Sequence, residues 1–346
     1  MTAATDPFIE HSLRTSMFFG ESRLFISGNP KAAGTSLRWW LLETHGVDVA
    51  ERTARSLWGE SAPYQTVWDG RVDLDFTWND LVEEEQAEAL TATDVLTVQP
   101  VRNPVTRCFS AWAGKFLTLE PYYQERLPDG FDEPPTTIDS GEQITELFDG
   151  FVRSLDTYVA DDPEWSRMDV HFWPQHRLLA REPVGPVLLL RQEQMGDGLD
   201  AIISHLKERG VSASPMPRMN ENVVPYRPEF VSANALELIQ QLYANDFSTY
   251  DYSAEPPSAG KQELDLPWLN DLRGRNRRYG VVHRAAMRAR RRVGELTDEL
   301  ELARREIKTS KTREEELRES SSWRVTEPLR WASDRVSSAR PSKKRD

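Results

Sequence analysis

Cysteine is almost absent from this chain of 346 residues, which contains only Cys108. A single cysteine excludes an intramolecular disulfide framework and a metal site built from several cysteines. Long apolar runs are also missing, since no uncharged segment reaches the roughly 18 residues that would span a membrane. Residues 1–22 lack the basic start and apolar centre of a signal peptide. These absences together predict a protein of the cytoplasm.

Positive charge is scarce in the first three quarters of the chain. The net charge is −13, yet the residues from Lys261 to the end include 23 Lys and Arg against 15 Asp and Glu, a net charge of +8. The preceding part therefore carries −21. An acidic body does not suit nucleic acid, because binding depends largely on phosphate neutralisation. We predict an acidic catalytic body with a basic tail and no nucleic-acid partner.

Short apolar runs alternate with helical segments along the acidic part. Three strands are predicted, at residues 24–27, 95–98 and 187–190, of which the first is expected to be buried, and helices follow the first two. This alternation predicts an α/β fold with a mostly parallel sheet flanked by helices. A proline-containing break at residues 255–260 predicts a boundary. The expected domains are 1–258, a basic helical and short coiled-coil segment at 259–320, and a tryptophan-containing tail at 321–346.

A candidate phosphate loop lies where the first strand passes into a helix. It reads Gly-Asn-Pro-Lys-Ala-Ala-Gly-Thr-Ser-Leu from residue 28 to residue 37. Free N–H groups and the positive end of a helix bind anions at such a junction. The lysine precedes the second glycine by three residues, unlike the Walker A loop, in which the lysine directly follows it. The predicted nucleotide-binding residues are Lys31, Ala32, Ala33, Gly34, Thr35 and Ser36.

A second segment, residues 100–112, also follows a strand and opens a helix. Arg102 and Ser110 lie eight residues apart in it, and a bend at Pro104 can bring the guanidinium and the hydroxyl onto one phosphate. Taken alone, Arg102 is equally compatible with a surface ion pair.

Together the two segments resemble the nucleotide-binding signatures of the carbohydrate sulfotransferases, which include the chondroitin and HNK-1 enzymes. The first matches Pro-Lys-x-x-Gly-Thr-Ser and the second Arg-x-Pro-x-x-Arg-x-x-Ser-Ala-Tyr, with Trp112 in place of the tyrosine. The resemblance implies the P-loop-like sulfotransferase fold with a C-terminal helical extension. It also implies the donor 3′-phosphoadenosine 5′-phosphosulfate, a carbohydrate or glycolipid acceptor, and a reaction without metal. Lys31 would then stabilise the leaving phosphate oxygen.

Downstream elements extend the resemblance to about Tyr252, and one of them supplies the predicted base. Residues 169–175 resemble a His-x-x-Pro-Gln element, so His171 is predicted to accept the proton of the acceptor hydroxyl. His45 is the only histidine between the two nucleotide segments, and we expect a structural role for it. Asp69 and His176 remain weaker alternatives.

The basic part of the chain predicts associations rather than chemistry. Leu296, Leu300, Ala303 and Ile307 form a heptad-like seam of about two heptads, which favours a homodimer. The final segment, Ser-Trp-Arg-x-Thr-x-Pro-Leu-Arg, resembles an element of bacterial cell-envelope glycan enzymes. Trp323 and Trp331 among arginines suit peripheral contact with the inner face of the plasma membrane, although a tail that only dimerises is an equal alternative.

Two other functions remain open from the sequence. A non-catalytic nucleotide-binding scaffold in a cell-envelope glycan pathway would explain why His45 alone lies between the nucleotide segments. A P-loop kinase is disfavoured by the early position of Lys31 and by the lack of a clear magnesium-binding carboxylate pair.

Overall fold

The computed structural model of the chain describes residues 6–49, 81–121, 123, 135–165, 168–178, 184–216, 223–258 and 263–338. Asp69 lies outside these ranges. By their internal contacts the residues divide into two units, Met1–Gly280 and Val281–Asp346.

A four-stranded sheet organises the first unit. Its strands, in spatial order, are β1 (Met17–Phe19), β2 (Leu24–Ile26), β3 (Leu96–Val101) and β4 (Val187–Arg191). β1 pairs antiparallel with β2, whereas β2, β3 and β4 are parallel. Leu24 faces Leu96 in the register of β2 and β3, and Val98 faces Leu188 in that of β3 and β4. The carboxyl ends of the three parallel strands therefore meet at one edge, where α/β proteins bind ligands.

Helices connect and flank these strands. Those of the first unit are α1 (Pro7–Arg14), α2 (Gly34–Thr44), α3 (Glu83–Thr91), α4 (Pro104–Trp112), α5 (Gly141–Asp161), α6 (Gln175–Leu178), α7 (Met195–Glu208), α8 (Ala233–Leu242) and α9 (Ala244–Thr249). A π-helix, Ala113–Leu117, continues α4 directly. The predicted α/β class with a mostly parallel sheet, flanking helices and a C-terminal helical extension is confirmed.

Capping residues fix where the functional helices begin. Asn103 precedes α4, and its Oδ1 accepts the N–H of Val105 at 2.9 Å, while Pro104 occupies the first helical position. Proline suits that position because it lacks the N–H that a helix start leaves unpaired. Every side chain of α4 is buried, which explains why this segment contains so few charged residues.

Aromatic side chains fill the larger core. Phe109 and Trp112 of α4 meet Phe148 of α5 with ring centroids 5.1 and 5.0 Å apart. A second core includes buried residues of all four strands together with Trp40 of α2. A third, smaller cluster includes Phe25, the alternate residue of β2, so the two faces of that strand pack into different clusters.

A 54-residue helix, α10 (Leu266–Glu319), starts in the first unit and continues into the second. Asp265 caps it, accepting the N–H of Trp268 at 2.8 Å. Leu269 and Arg273 of its first turns are buried in the first unit. The second unit contains the rest of α10, followed by α11 (Ser321–Val325) and α12 (Glu327–Ser338). Among the described helices, none is long and apolar enough to cross a membrane.

Candidate active site

The predicted phosphate loop joins β2 to α2 at the carboxyl edge of the sheet. Lys31 and Ala33 have φ angles of 65° and 60°, in the left-handed region. Ala32 between them does not have a positive φ, so left-handed and ordinary backbone conformations alternate along the loop. Such alternation turns successive N–H groups towards one concavity, which suits an anion. Ala33 is also the N-cap of α2 and makes no side-chain capping bond, and the first N–H groups of a helix have no partner within it. This backbone conformation is compatible with the predicted binding of an anion.

Gly28 allows α1 to close behind this loop. Its N–H donates to Ser16 Oγ at 3.0 Å, and its carbonyl accepts from Ser12 Oγ at 3.2 Å. A Cβ at position 28 would lie only 2.0 Å from Thr15 Oγ1. The glycine is therefore required by the close approach of the helix rather than by contact with a ligand.

One buried amide joins the two nucleotide segments. The Oε1 atom of Gln175 accepts the Arg102 N–H and the Nδ2 of Asn29, both at 3.0 Å. Its Nε2 donates to the Arg102 carbonyl at 2.7 Å. Asn29 also donates to the Pro100 carbonyl at 2.7 Å. Because Gln175 is fully buried, these bonds fix the loop and the start of the second segment relative to each other.

A buried guanidinium makes a second connection. Arg107 donates through Nε to the Pro30 carbonyl at 3.0 Å and through Nη1 to the Trp173 carbonyl at 2.7 Å. It therefore holds the residue before Lys31 and the turn after His171 from one point. The second arginine of the Arg-x-Pro-x-x-Arg pattern therefore stabilises the scaffold by joining two loops through hydrogen bonds.

The side chain of Arg102 lies beside the phosphate loop. Its Nη1 donates to the Lys31 carbonyl at 3.4 Å and its Nε to Thr106 Oγ1 at 3.1 Å. Burial lowers the pKa of Arg102 to about 10, and the negative charge of Glu193 opposes that shift. Glu193 also accepts the N–H of Asn103 at 2.8 Å, so the end of β4 is attached to the second segment.

An aspartate orients the predicted base. The Nδ1 of His171 lies 2.6 Å from Asp169 Oδ1 and 3.1 Å from the Tyr123 hydroxyl. Burial raises the pKa of Asp169, but His171 and Lys115 outweigh it and bring the pKa to about 2. A carboxylate only accepts hydrogen bonds, so the neutral imidazole carries its proton on Nδ1 and its lone pair on Nε2. Nε2 has no hydrogen-bond partner among the described residues.

Burial and nearby cations keep this imidazole neutral. Burial lowers the pKa of His171 to about 4, the charge of Asp169 raises it, and the charges of Lys115 and Lys31 lower it. At neutral pH the ring is therefore an unprotonated base with a fixed tautomer. This is the state that a general base needs before the reaction begins.

Lys31 lies close enough to His171 and Asp169 for their charges to interact. Its pKa is lowered to about 7, mainly by burial and also by the charges of Lys115 and Arg102, while the charges of Glu120 and Asp169 act against the shift. Lys115 belongs to the π-helix, and its Nζ lies 2.7 Å from Glu120 Oε2. The structure thus brings Lys31, Arg102 and His171 together from three separate segments.

The remaining predicted ligands keep their expected positions in the fold. Ala32 lies in the loop, Gly34, Thr35 and Ser36 form the first turn of α2, and Ser110 is buried in α4. That Arg102 and Ser110 share one phosphate stays a prediction.

The other two histidines that we considered, His45 and His176, form hydrogen bonds with residues outside the candidate site. His45 follows α2 at the end remote from the loop, where its Nε2 lies 2.9 Å from Ser22 Oγ and its ring stacks on Phe19. His176 places Nδ1 2.6 Å from the buried Asp246, which also accepts the Gln175 N–H at 2.7 Å. Both positions are those of structural residues.

Sequence reasoning missed several neighbours of the base. His11 of α1 lies 5.7 Å from the Trp173 ring, and burial lowers its pKa to about 4, with the charge of Asp169 acting against the shift. Nothing in the sequence links it or Lys115 to the site. Asp169 had a signal in the sequence, since it lies two residues before His171 in the same motif.

Comparison with known proteins identifies the scaffold. The model of the sulfotransferase family matches residues 65–253, more than half of the chain. The chain belongs to the sulfotransferase family. The matched range starts after the phosphate loop and includes Arg102, Ser110, His171 and Glu193. Neither a curated protein nor a solved structure gives a match.

Family membership confirms the predicted sulfotransferase resemblance and supports a transferase activity. The narrower resemblance to carbohydrate sulfotransferases and a bacterial origin stay predictions. The described residues include no group of three or more His, Cys, Asp or Glu side chains that could hold a metal ion, and a metal-free reaction also stays a prediction.

Proposed function

We propose that this sulfotransferase moves a sulfo group from 3′-phosphoadenosine 5′-phosphosulfate to a hydroxyl of a carbohydrate or glycolipid. The proposal rests mainly on one observation. A lysine in a phosphate-type loop, an arginine from the second segment and a neutral, aspartate-oriented histidine lie within one electrostatic neighbourhood.

The cations of this site favour an anionic donor. Burial is the main cause of the low pKa of Lys31, and the positive charges of Lys115 and Arg102 lower that pKa as well. An anion bound among them would relieve that repulsion. The concave loop backbone suits a 5′-phosphosulfate, and Arg102 would hold the 3′-phosphate by charge-assisted hydrogen bonds.

His171 and Lys31 divide the chemistry between the two ends of the transfer. As the acceptor oxygen forms its bond to sulfur, His171 Nε2 takes the hydroxyl proton, and the bond from sulfur to the 5′-phosphate oxygen breaks. The products are a sulfated acceptor and 3′-phosphoadenosine 5′-phosphate. Protonated Lys31 stabilises the charge that collects on the leaving oxygen. Asp169 stabilises the imidazolium that forms.

Nucleotide binding without added metal tests the donor assignment. Calorimetry would compare 3′-phosphoadenosine 5′-phosphate with 5′-AMP on the native chain, on Arg102→Ala and on the control Arg153→Ala, whose exposed side chain pairs with Asp149 on α5. We expect the native chain and the control to prefer the 3′-phosphorylated nucleotide. Arg102→Ala should lose at least about tenfold of that preference.

Equal affinity for both nucleotides in all three proteins, or no binding, would refute the donor assignment and bring the non-catalytic scaffold forward. Binding with the expected preference but no sulfate transfer to any of a panel of sugars and glycolipids would also favour the scaffold. Transfer of a phosphoryl group that depends on magnesium would favour the kinase.

The tail supports a second, separate proposal about location, namely peripheral contact with an anionic membrane surface. Trp323 and Trp331 are 41% and 60% exposed, and Arg330 and Arg335 stack on them at 3.7 and 4.0 Å. Aromatic rings beside arginines suit a headgroup layer. Sedimentation with anionic but not neutral vesicles, lost in a Trp323→Ser and Trp331→Ser variant, is the expected result.

A further inference from the structure

A seam of small and apolar residues runs along α10 for longer than two heptads. From residue 282 to residue 317 it recurs at alternating spacings of four and three. One set of heptad positions, termed a, contains Ala286, Val293, Leu300, Ile307 and Glu314. The other set, termed d, contains Val282, Ala289, Leu296, Ala303, Ser310 and Leu317. The first eight of these eleven positions, as far as Ile307, are all aliphatic. Two polar positions follow, and Leu317 is aliphatic again.

This seam has no partner within the described part of the chain. Leu296 is 46% exposed, Leu300 51%, Ile307 57% and Val293 63%. The hydrophobic clusters formed by the described residues include no side chain beyond Leu269. Helices in water gain most of their stability from packing an apolar face. A seam about 54 Å long, at 1.5 Å per residue, therefore needs another molecule to cover it.

The charges beside the seam identify a second copy of the same chain as that molecule. The positions that precede a, termed g, carry Glu299 and Glu306, and those that follow d, termed e, carry Arg304 and Lys311. In a parallel, in-register pair, each g residue faces the e residue five places further along the other helix. Glu299 then meets Arg304 of the other copy, and Glu306 meets Lys311. Each attraction occurs twice in the pair.

The same charges oppose an antiparallel pair. There e positions face e positions. Residues 304, 311 and 318 at e are basic and residue 297 is threonine, so an antiparallel pair gives these cations no acidic partner at e. The parallel pair contains one like-charged contact, Arg313 with Arg318, near its C-terminal end. β-Branched Val293 and Ile307 at a, with Leu296 and Leu317 at d, favour two strands over three or four.

We propose that residues 282–317 of two copies form a parallel, in-register, two-stranded coiled coil, so that the sulfotransferase is a homodimer. This proposal does not depend on the donor or the acceptor of the reaction.

Mass measurement on the full chain tests the seam with a matched pair of variants. Leu300 lies in the seam, whereas Leu302 lies outside it and is similarly exposed at 60%. By light scattering, the native chain and Leu302→Asp should have twice the monomer mass of 39.7 kDa. Leu300→Asp should raise the dissociation constant of the dimer by at least about a hundredfold. A monomeric native chain at tens of micromolar, or equal masses for both variants, would overturn the proposal and leave the seam to a membrane or another protein.

Disulfide formation tests the direction of the helices. Ala289 and Ser310 both occupy d positions, three heptads apart, and the native chain has only the buried Cys108. Ala289→Cys and Ser310→Cys, prepared separately and oxidised, should each give a covalent dimer if the helices are parallel and in register. An antiparallel pair can bring only one of the two positions together. A covalent dimer from one variant alone, or from neither, would contradict the parallel arrangement.

Charge exchange provides a rescue. Variant one carries Glu299→Lys with Glu306→Lys, and variant two carries Arg304→Glu with Lys311→Glu. Each alone should dimerise more weakly than the native chain because like charges then face each other. Mixed in equal amounts, they should form a heterodimer at least about tenfold more stable than either homodimer. Two weakened variants that do not rescue each other would show that these residues do not face each other.

Discussion

The lowered pKa of Lys31 predicts that nucleotide affinity depends on pH. The pKa is about 7 in the free protein, against an ordinary value of 10.5. A bound phosphate would bring the pKa back towards that ordinary value, since an adjacent negative charge favours the protonated amine. The complex then holds a proton that the free protein loses above pH 7. Affinity should therefore be greatest below pH 7 and decrease as the pH rises.

The magnitude follows from the two pKa values. If the complex restores the pKa to near 10.5, the affinity for 3′-phosphoadenosine 5′-phosphate should fall about fiftyfold between pH 7 and pH 9. The phosphates of the ligand lose their second proton near pH 6 and contribute little over this range. Proton uptake on binding should rise from about one half at pH 7 to nearly one at pH 8.5.

Calorimetry in buffers of different ionisation enthalpy measures both the affinity and the proton uptake. Lys31→Arg is the matched control because a guanidinium stays charged throughout this range. Its affinity should change less than about threefold between pH 7 and pH 9. A flat profile in the native chain, or the same steep profile in Lys31→Arg, would show that the titration of Lys31 is not coupled to the nucleotide.

Three further predictions concern the groups around the base and the scaffold. Asp169→Asn should lower kcat by about tenfold to a hundredfold with little change in nucleotide affinity. Because Asp169 raises the pKa of His171, the acidic limb of the pH–rate profile should also move to lower pH. An unchanged kcat would contradict the orienting role of Asp169. Gln175→Ala should reduce the free energy of unfolding, measured by urea denaturation, by about 2–4 kcal/mol. The same change at the exposed Gln241 should cost less than about 0.5 kcal/mol. Similar losses in the two variants would contradict the role of the buried amide in joining the two segments. Finally, His11 and His171 have pKa values of about 4 in the folded chain, against an ordinary value of 6.5. The unfolded chain therefore binds more protons below pH 6.5, and the free energy of unfolding should fall by at most about 4 kcal/mol between pH 7 and pH 5. His171→Gln should remove about half of that fall, and a native chain equally stable at both pH values would contradict the prediction.

The strands and the phosphate loop were predictable because local sequence determines them. Each parallel strand is a short apolar run that ends at turn residues, and the loop combines small residues with a lysine at that point. The antiparallel strand β1 was not predicted, since its three residues are all buried and show no alternation. The helix predicted after the second strand is α4, and the π-helix Ala113–Leu117 that continues it was not predicted.

The candidate site was predictable only in part, because tertiary packing builds the rest. Lys31, Arg102 and His171 lie in recognisable motifs, so residue type and spacing were enough to select them as candidates. Their roles in binding and catalysis stay predictions. His11 and Lys115 come from segments without such a motif, and only the folded chain brings them near Asp169. The roles of Gln175 and of the braces within the scaffold depend on bonds between residues about 70 positions apart.

The start of α10 has a practical consequence for producing the catalytic part alone. The first unit includes its opening turns up to Gly280, whereas a boundary chosen from composition, which stays a prediction, falls after residue 258. Arg273 and Asn276 donate to carbonyls at the end of the π-helix that carries Lys115. A fragment cut at the proline-containing break would leave those carbonyls without these donors, next to a cation of the site. A shortened enzyme intended for crystallisation or directed evolution should therefore end beyond Gly280, even though the added helical turns contain no motif of their own.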